Sequence, residues 1–142
     1  MRVSIILPME PRGKQRPRMA TKGKFTRAYT PKETREWTED ARLHLKKLWS
    51  LAPFTKGVPV GIKIIAVHSR PQRLLRKRDP EGRIWKTSKP DADNITKILL
   101  DSLNGIAWDD DCQVCDEQTL KYYAAKGEKP HVEVCIWELH RV

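Results

Sequence analysis

Val58-Pro59-Val60-Gly61-Ile62-Lys63-Ile64-Ile65-Ala66-Val67-His68 is the stretch around which the chain organises itself. Val58, Val60, Ile62, Ile64 and Ala66 alternate along one side of an extended backbone, and Ile65 and Val67 add apolar side chains on the other. A half-solvated strand is apolar on one face only, so this profile predicts a central strand over about 58–68, covered on both sides. Upstream, Val3, Ile5 and Leu7 mark a strand at about 2–8 that Pro8 closes. Thr30-Pro31-Lys32-Glu33 then has the form of a capping box with proline at the first helical position. It predicts a helix over about 31–50 in which Trp37, Ala41, Leu45 and Leu48 recur at helical spacing, with Leu43 nearby, before Pro53 ends the element.

Downstream, Ile95, Ile98, Leu99, Ser102, Leu103 and Ile106 share one side of a helix over about 92–104, and Gly105 stands where a left-handed C-cap residue belongs. Leu100 breaks that scheme by falling near the polar side, where a subunit contact is one explanation. Two last strands, at about 113–124 and 131–139, are separated by Lys126-Gly127-Glu128 and Pro130, which predicts an antiparallel hairpin. The expectation is an α/β (α+β) domain over 1–142. It has a small mixed β-sheet of about four strands and two main helices, in the order β-α-β-α-β-β.

Composition sets the class. With 142 residues the chain is long enough to bury one core. No apolar run approaches the roughly 18 residues that span a bilayer, so no membrane partner is expected. Met1-Arg-Val-Ser-Ile-Ile-Leu-Pro8 reads as a strand and not as a signal peptide, which points to the cytoplasm. Three cysteines, an odd number, favour reduced thiols over a disulfide framework. Cys112, Cys115, His131 and Cys135 have the order of a zinc site, but extended backbone after Val114 would aim the first two apart, so semi-buried thiols are the favoured reading.

The formal charge is +10, and it is concentrated in two connections. Residues 9–29 carry Arg12, Lys14, Arg16, Arg18, Lys22, Lys24 and Arg27 in a long basic loop or arm; residues 69–90 carry Arg70, Arg73, Arg76, Lys77, Arg78, Arg83, Lys86 and Lys89 around an Asp79-Pro80-Glu81-Gly82 turn. Such stretches attract a polyanion. Ile84 and Trp85, embedded in the second, offer a stacking or wedging pair for bases, although loop packing is the commoner use of a tryptophan.

Against this background Lys89-Pro-Asp-Ala-Asp-Asn94 and Asp109-Asp-Asp111 place carboxylates close together. Like charges so arranged repel unless a proton or a cation relieves them, and a divalent metal is the natural relief. Asp91 and Asp93 at a helix entrance have a plain alternative use as caps. If Asp111 begins the next strand beside that entrance, the three complete an oxygen-ligand set; Asp109 and Asp110 read equally as turn residues. Lys97, one helical turn after Asp93, either makes an intrahelical ion pair or reaches a scissile phosphate. Basic surroundings and an acidic pocket together read as a phosphodiester-cutting enzyme.

Three blocks in order, Lys89-Pro-Asp-Ala-Asp-Asn-Ile-Thr-Lys97, Asp101-Ser-Leu-Asn-Gly105 and Asp109-Asp-Asp-Cys-Gln-Val114, resemble the signature of the RusA family of Holliday-junction resolvases. Lys14-Gln-Arg-Pro-Arg18 is similar to a basic segment near the start of that family. The resemblance implies metal-binding catalytic carboxylates at Asp91, Asp93 and Asp111, an accompanying acidic position at Asp110 and an essential lysine at Lys97. It leaves Asn94 and Asp101 as structural positions. Cys112 and the extra Asp109 depart from the pattern without touching the metal set. By the same resemblance the protein would be a homodimer that uses Mg²⁺, with Mn²⁺ as a substitute, to nick four-way DNA junctions in symmetric pairs during recombination and repair. DNA contacts are expected from Arg12, Lys14, Arg16, Arg18, Arg73, Arg76, Lys77, Arg78, Lys86 and Lys89. The alternatives are a non-catalytic recombination accessory and a nuclease for flaps, forks or RNA.

Overall fold

The central stretch does form the middle of a sheet. In the computed structural model, which describes residues 1–140, the chain runs β1 (Arg2–Leu7), β2 (Arg18–Lys22), β3 (Phe25–Tyr29), α1 (Lys32–Leu48), β4 (Val60–His68), β5 (Ile84–Trp85), α2 (Ala92–Leu103), β6 (Val114–Tyr123) and β7 (His131–Glu138). The last two positions of the domain expected over 1–142 lie outside the described residues. The main sheet has the order β1-β7-β4-β6-β5, and β2 pairs only with β3 in a separate ribbon. The α/β (α+β) class and the mixed sheet are therefore as expected, with more strands than the sequence pattern suggests. No helix of the described residues is long and apolar enough to cross a membrane.

β4 runs parallel to β6 and antiparallel to β7, so it occupies both of its edges with neighbours. The expected hairpin between the last two strands is corrected by this arrangement: β6 and β7 lie on opposite sides of β4 and do not pair. The seven-residue connection 124–130 steps across β4, a span of roughly 10 Å at two strand spacings, which a tight turn does not cover. The parallel β4–β6 pair in turn requires a long crossover, and α2 supplies it.

One core holds the sheet to both helices. Ile5 and Leu7 of β1, Val60, Ile62, Ile64 and Ala66 of β4, and Val132, Val134 and Ile136 of β7 face Trp37, Ala41 and Leu45 of α1 and Ile95, Ile98, Leu99 and Leu103 of α2. Each large apolar side chain so buried contributes roughly 1.5–3 kcal/mol. Leu43 and Leu48 are exposed and not part of that face. Leu100 is packed against the core at its margin, which accounts for it without a subunit contact. The opposite face of β4 is only partly covered; Trp137 lies over Gly61, where an added Cβ would come within 2.5 Å of the indole.

Local chemistry differs from expectation at α1. Its N-cap is Pro31, with no side-chain cap bond. Thr30 lies one residue too early, so the threonine-to-glutamate spacing is out of register with the first turn. At the other helix, Gly105 does follow α2 with φ of 77°, a value that suits glycine. The cysteines are free, but Cys112 and Cys115 are exposed and not semi-buried, and Cys112 sits in a 3-10 turn, Asp111–Gln113, ahead of β6.

The long basic connection 69–90 is folded against the sheet. Arg70 donates to the carbonyls of Leu74, Pro80 and Gly82, and Lys126 to those of Arg76 and Asp79. Arg83 reaches Glu128 and Glu133, each at 2.8 Å, and His131 also contacts Glu133. Trp85 stacks on Tyr122 at 4.5 Å between centroids. The hydrogen bond and charge of Arg83 hold the Glu128 carboxyl at about 2, against an ordinary 4.5. Because the folded value is depressed, the stabilisation is complete above pH 4.5 and is lost as pH falls toward 2. Glu128→Gln should lower stability at pH 7 by about 1 kcal/mol, discounted for solvent screening. It should also flatten the loss of stability between those two pH values, as read by urea melts at each.

Candidate active site

The entrance of α2 is built from Pro90, Asp91 and the first helical turn. Asp91 is the N-cap residue, with φ −68° and ψ 148°, yet its side chain makes no cap hydrogen bond. Its backbone carbonyl accepts from Asn94 and Ile95, and the carboxylate is left unengaged by the helix it precedes. The capping explanation of this aspartate is thereby set aside. Asp93 and Lys97 follow on the solvent face, 3.9 Å apart, with side chains 70% and 62% exposed. A pair so long and so wet is worth a few tenths of a kcal/mol, so both groups remain available to a ligand.

The segment 10–16 is laid against this entrance by bonds to three elements. The Glu10 carboxylate accepts from the backbone N–H and hydroxyl of Ser69, and the Glu10 carbonyl accepts from the Trp37 indole. Lys14 donates its backbone N–H to the Asn94 carbonyl at 2.9 Å and its ammonium to Asp101 at 2.7 Å. Gln15 exchanges hydrogen bonds with the Thr34 hydroxyl. Gly13 fits between because it lacks a side chain: a Cβ there would lie 2.7 Å from that of Pro90 and 3.2 Å from that of Asn94.

The result is a cleft of about 1080 Å³ that has Asp91 and Asn94 on one wall and Arg12, Lys14, Arg16, Arg73, Lys86 and Lys89 around it. Of the basic residues read from the sequence, these six converge. Arg18 stands on the β2–β3 ribbon, and Arg76, Lys77 and Arg78 are exposed on the far part of the 69–90 connection, outside the lining. Lys86 is held by Ser88 and the Lys89 carbonyl, and lies over the Tyr123 ring at 5.0 Å. Trp85 is not in the cleft: it pairs with Tyr122, which alternates to the other face of the sheet from Tyr123.

Two cleft residues escaped sequence reasoning. His68 ends β4, is buried, and places Nδ1 3.3 Å from the Tyr122 carbonyl, while its Nε2 has no protein partner. Burial keeps its pKa below 6.5, so the ring is neutral near pH 7. Tyr123, hydrogen-bonded to Ser88 and near Lys86 and Arg73, has its hydroxyl pKa lowered. The signal available for His68 was position, at the end of a strand that precedes a basic connection; Tyr123 ends β6 ahead of the short 124–130 link and carried no such signal.

The acidic residues are not all gathered in one place. Asp111 lies in the 3-10 turn before β6, and Asp110 caps that turn, accepting from the Asp111 N–H at 2.9 Å. Burial first, then the charges of Asp110 and Asp101, raise the Asp111 pKa, and Lys14 opposes them. Asp111 thus falls in the field of Asp101, and Asp101 itself stands roughly 12 Å beyond Asp93 along the α2 axis at 1.5 Å per residue. Among the described residues no three His, Cys, Asp or Glu side chains come close enough together to hold a metal ion. Mg²⁺ keeps several waters and takes only one or two carboxylates with phosphate oxygens, so the hard oxygen donors at the α2 entrance fit such an ion without a protein cage. The polar face of α2 reads as alternating charge, Asp93, Lys97 and then Asp101 bound to Lys14, and Asp111 stands in the field of its last member.

The close approach at Gly13 is testable. Gly13→Ala should destabilise the protein by about 1–3 kcal/mol through overpacking, whereas Gly82→Ala, where nothing lies within 4 Å, should change thermal stability by less than about 0.5 kcal/mol.

A family model described as Endodeoxyribonuclease RusA matches residues 8–137. A relative from Bacillus subtilis (strain 168), described as the uncharacterized protein YqaN, is 39% identical over 64 residues, which are 45% of this chain and 43% of that protein. The chain thus spans less than half the length of that relative. The family match, in contrast, begins before the clamped segment 10–16 and runs past the central strand, the α2 entrance and the Asp111 turn, so that the chain belongs to the RusA endodeoxyribonuclease family.

Proposed function

We propose that this protein is a divalent-metal-dependent endodeoxyribonuclease that resolves four-way DNA junctions by paired symmetric nicks, acting as a homodimer in recombination and repair. The observation that carries the reading is the unengaged Asp91 carboxylate on the wall of a cleft ringed by six cations. Phosphates held by those cations would bring a phosphodiester against the Asp91 carboxylate. The family match supports the chemistry.

In this reading Asp91, Asp93 and Asp111 are the metal-binding carboxylates, one or two of them on the ion at a time with phosphate oxygens and waters completing its shell, and Asp110 shapes the turn that presents Asp111. A bound Mg²⁺ or Mn²⁺ would supply a Lewis acid for a non-bridging oxygen and a water of lowered pKa. Lys97 neutralises charge that develops on the phosphate, since its pairing with Asp93 is too loose to hold it back. Arg12, Arg16, Arg73, Lys86 and Lys89 bind the backbone on either side of the cut, which gives affinity without reading sequence. Two copies about a two-fold axis would match the two equivalent strands of a junction.

The decisive experiment incubates labelled four-way junctions, flaps, duplex and single strands with and without Mg²⁺ or Mn²⁺. Metal-dependent paired nicks in the junction are expected; equal cutting of flaps would make the protein a general branched-DNA nuclease, and binding without cutting would make it an accessory. Asp91→Ala, Asp93→Ala and Asp111→Ala should each reduce cleavage at least about a hundredfold, with junction binding retained or tightened in gel-shift assays. Lys97→Ala should slow single-turnover cleavage by about a hundredfold to a thousandfold, the range for losing one charge-stabilising group.

A further inference from the structure

The β2–β3 ribbon stands apart from the main sheet, and every residue of both strands is exposed. Its register places Arg18 opposite Tyr29, Ala20 opposite Arg27 and Lys22 opposite Phe25, and between these pairs Met19 opposite Ala28 and Thr21 opposite Thr26. Paired residues share a side and successive ones alternate. One face therefore carries Arg18, Lys22, Arg27, Phe25 and Tyr29, and the other only Met19, Thr21, Thr26 and Ala28. Cations interleaved with aromatic rings on one face, and no charge on the reverse, is the division expected of a surface that grips phosphates and stacks on bases. Phe25 is 80% exposed, a position that packing within the chain does not explain.

The ribbon is also rooted at the cleft. Arg12, Lys14 and Arg16 lead directly into it, and the Gln15–Thr34 hydrogen bonds staple its entry to the start of α1, where it returns. Its strands project about 17 Å at 3.4 Å per residue. A free two-stranded ribbon is only marginally stable in water, so a partner that covers one face would order it. We infer that the ribbon is a DNA-gripping arm whose Arg18, Lys22 and Arg27 contact the backbone, while Phe25 and Tyr29 stack on bases left unpaired at the branch of a junction held in the cleft. The inference rests on the junction-nuclease reading for its substrate, but it concerns a surface outside the acidic site.

Binding is measured in Ca²⁺ or without metal, so that cutting plays no part. Phe25→Ala with Tyr29→Ala should weaken binding to a four-way junction about tenfold or more and to intact duplex much less. Arg18→Ala, Lys22→Ala and Arg27→Ala together should reduce the slope of log affinity against log salt by roughly 2–3. Met19→Ala with Ala28→Ser, on the reverse face, should leave affinity within about twofold while the thermal melt of all variants stays that of the body, as for surface changes. Unchanged binding by the aromatic variant, or equal losses from both faces, would overturn the arm; so would a fall in sedimenting mass, which would assign the ribbon to a second copy of the chain. The two readings fail separately. Ribbon variants that bind normally in a protein that cuts junctions remove only the arm, and ribbon variants that lose binding in a protein that never cuts remove only the nuclease.

Discussion

The rest of the molecule depends on the burial of β4 with both edges paired. A strand this apolar has to be flanked, and its parallel partner β6 has to be reached by a crossover. That crossover brings α2 back over the sheet on the core side, with its entrance near the end of β4 where Ser69 and His68 stand. Segment 10–16 is then trapped between α1, α2 and the end of β4 by Glu10, Gly13, Lys14 and Gln15. The cleft follows from the strand order. It is a gap between parts of the chain that the core has already fixed in place.

Charge is divided between two uses. Arg70, Arg83 and Lys126 are occupied with carbonyls and carboxylates and serve to hold the 69–90 connection in shape. Arg12, Arg16, Arg73 and Lys89 line the cleft, and among the described residues their side chains make no hydrogen bond within the chain. Count alone would not have separated these groups, although only the second is free to neutralise phosphate. The same division holds for acids: Asp110 shapes a turn and Asp101 holds Lys14, whereas the Asp91 side chain does nothing for its helix.

Much of this was legible in the residues. Period-two and period-3.6 patterns in 58–68 and 92–104 located β4 and α2 because both are pressed against the core, which is what creates such patterns. The ribbon at 18–29 is hidden for the same reason: with no face against the core it carries no apolar alternation, and its local signs are Gly23 in the turn and the Thr21–Thr26 pair. The hairpin expected of β6 and β7 failed because adjacency in sequence says nothing of the strand that intervenes in space. At the site, the residue types were readable but their spacing was not, since Asp111 is placed by its 3-10 turn and lies in the field of Asp101. Gly13 could be recognised as a close approach only once Pro90 and Asn94 were seen against it.

The idle carboxylate of Asp91 has a consequence for how the protein tolerates change. A helix whose N-cap residue withholds its side chain forgoes roughly 1 kcal/mol that an engaged cap would supply. Serine or asparagine in a capping rotamer would therefore win in any selection for heat resistance at this position, and would do so by removing or redirecting the oxygen that faces the cleft. Durability and activity are set against each other at a single side chain, so the most thermotolerant descendants of this sequence would be expected to include inert ones.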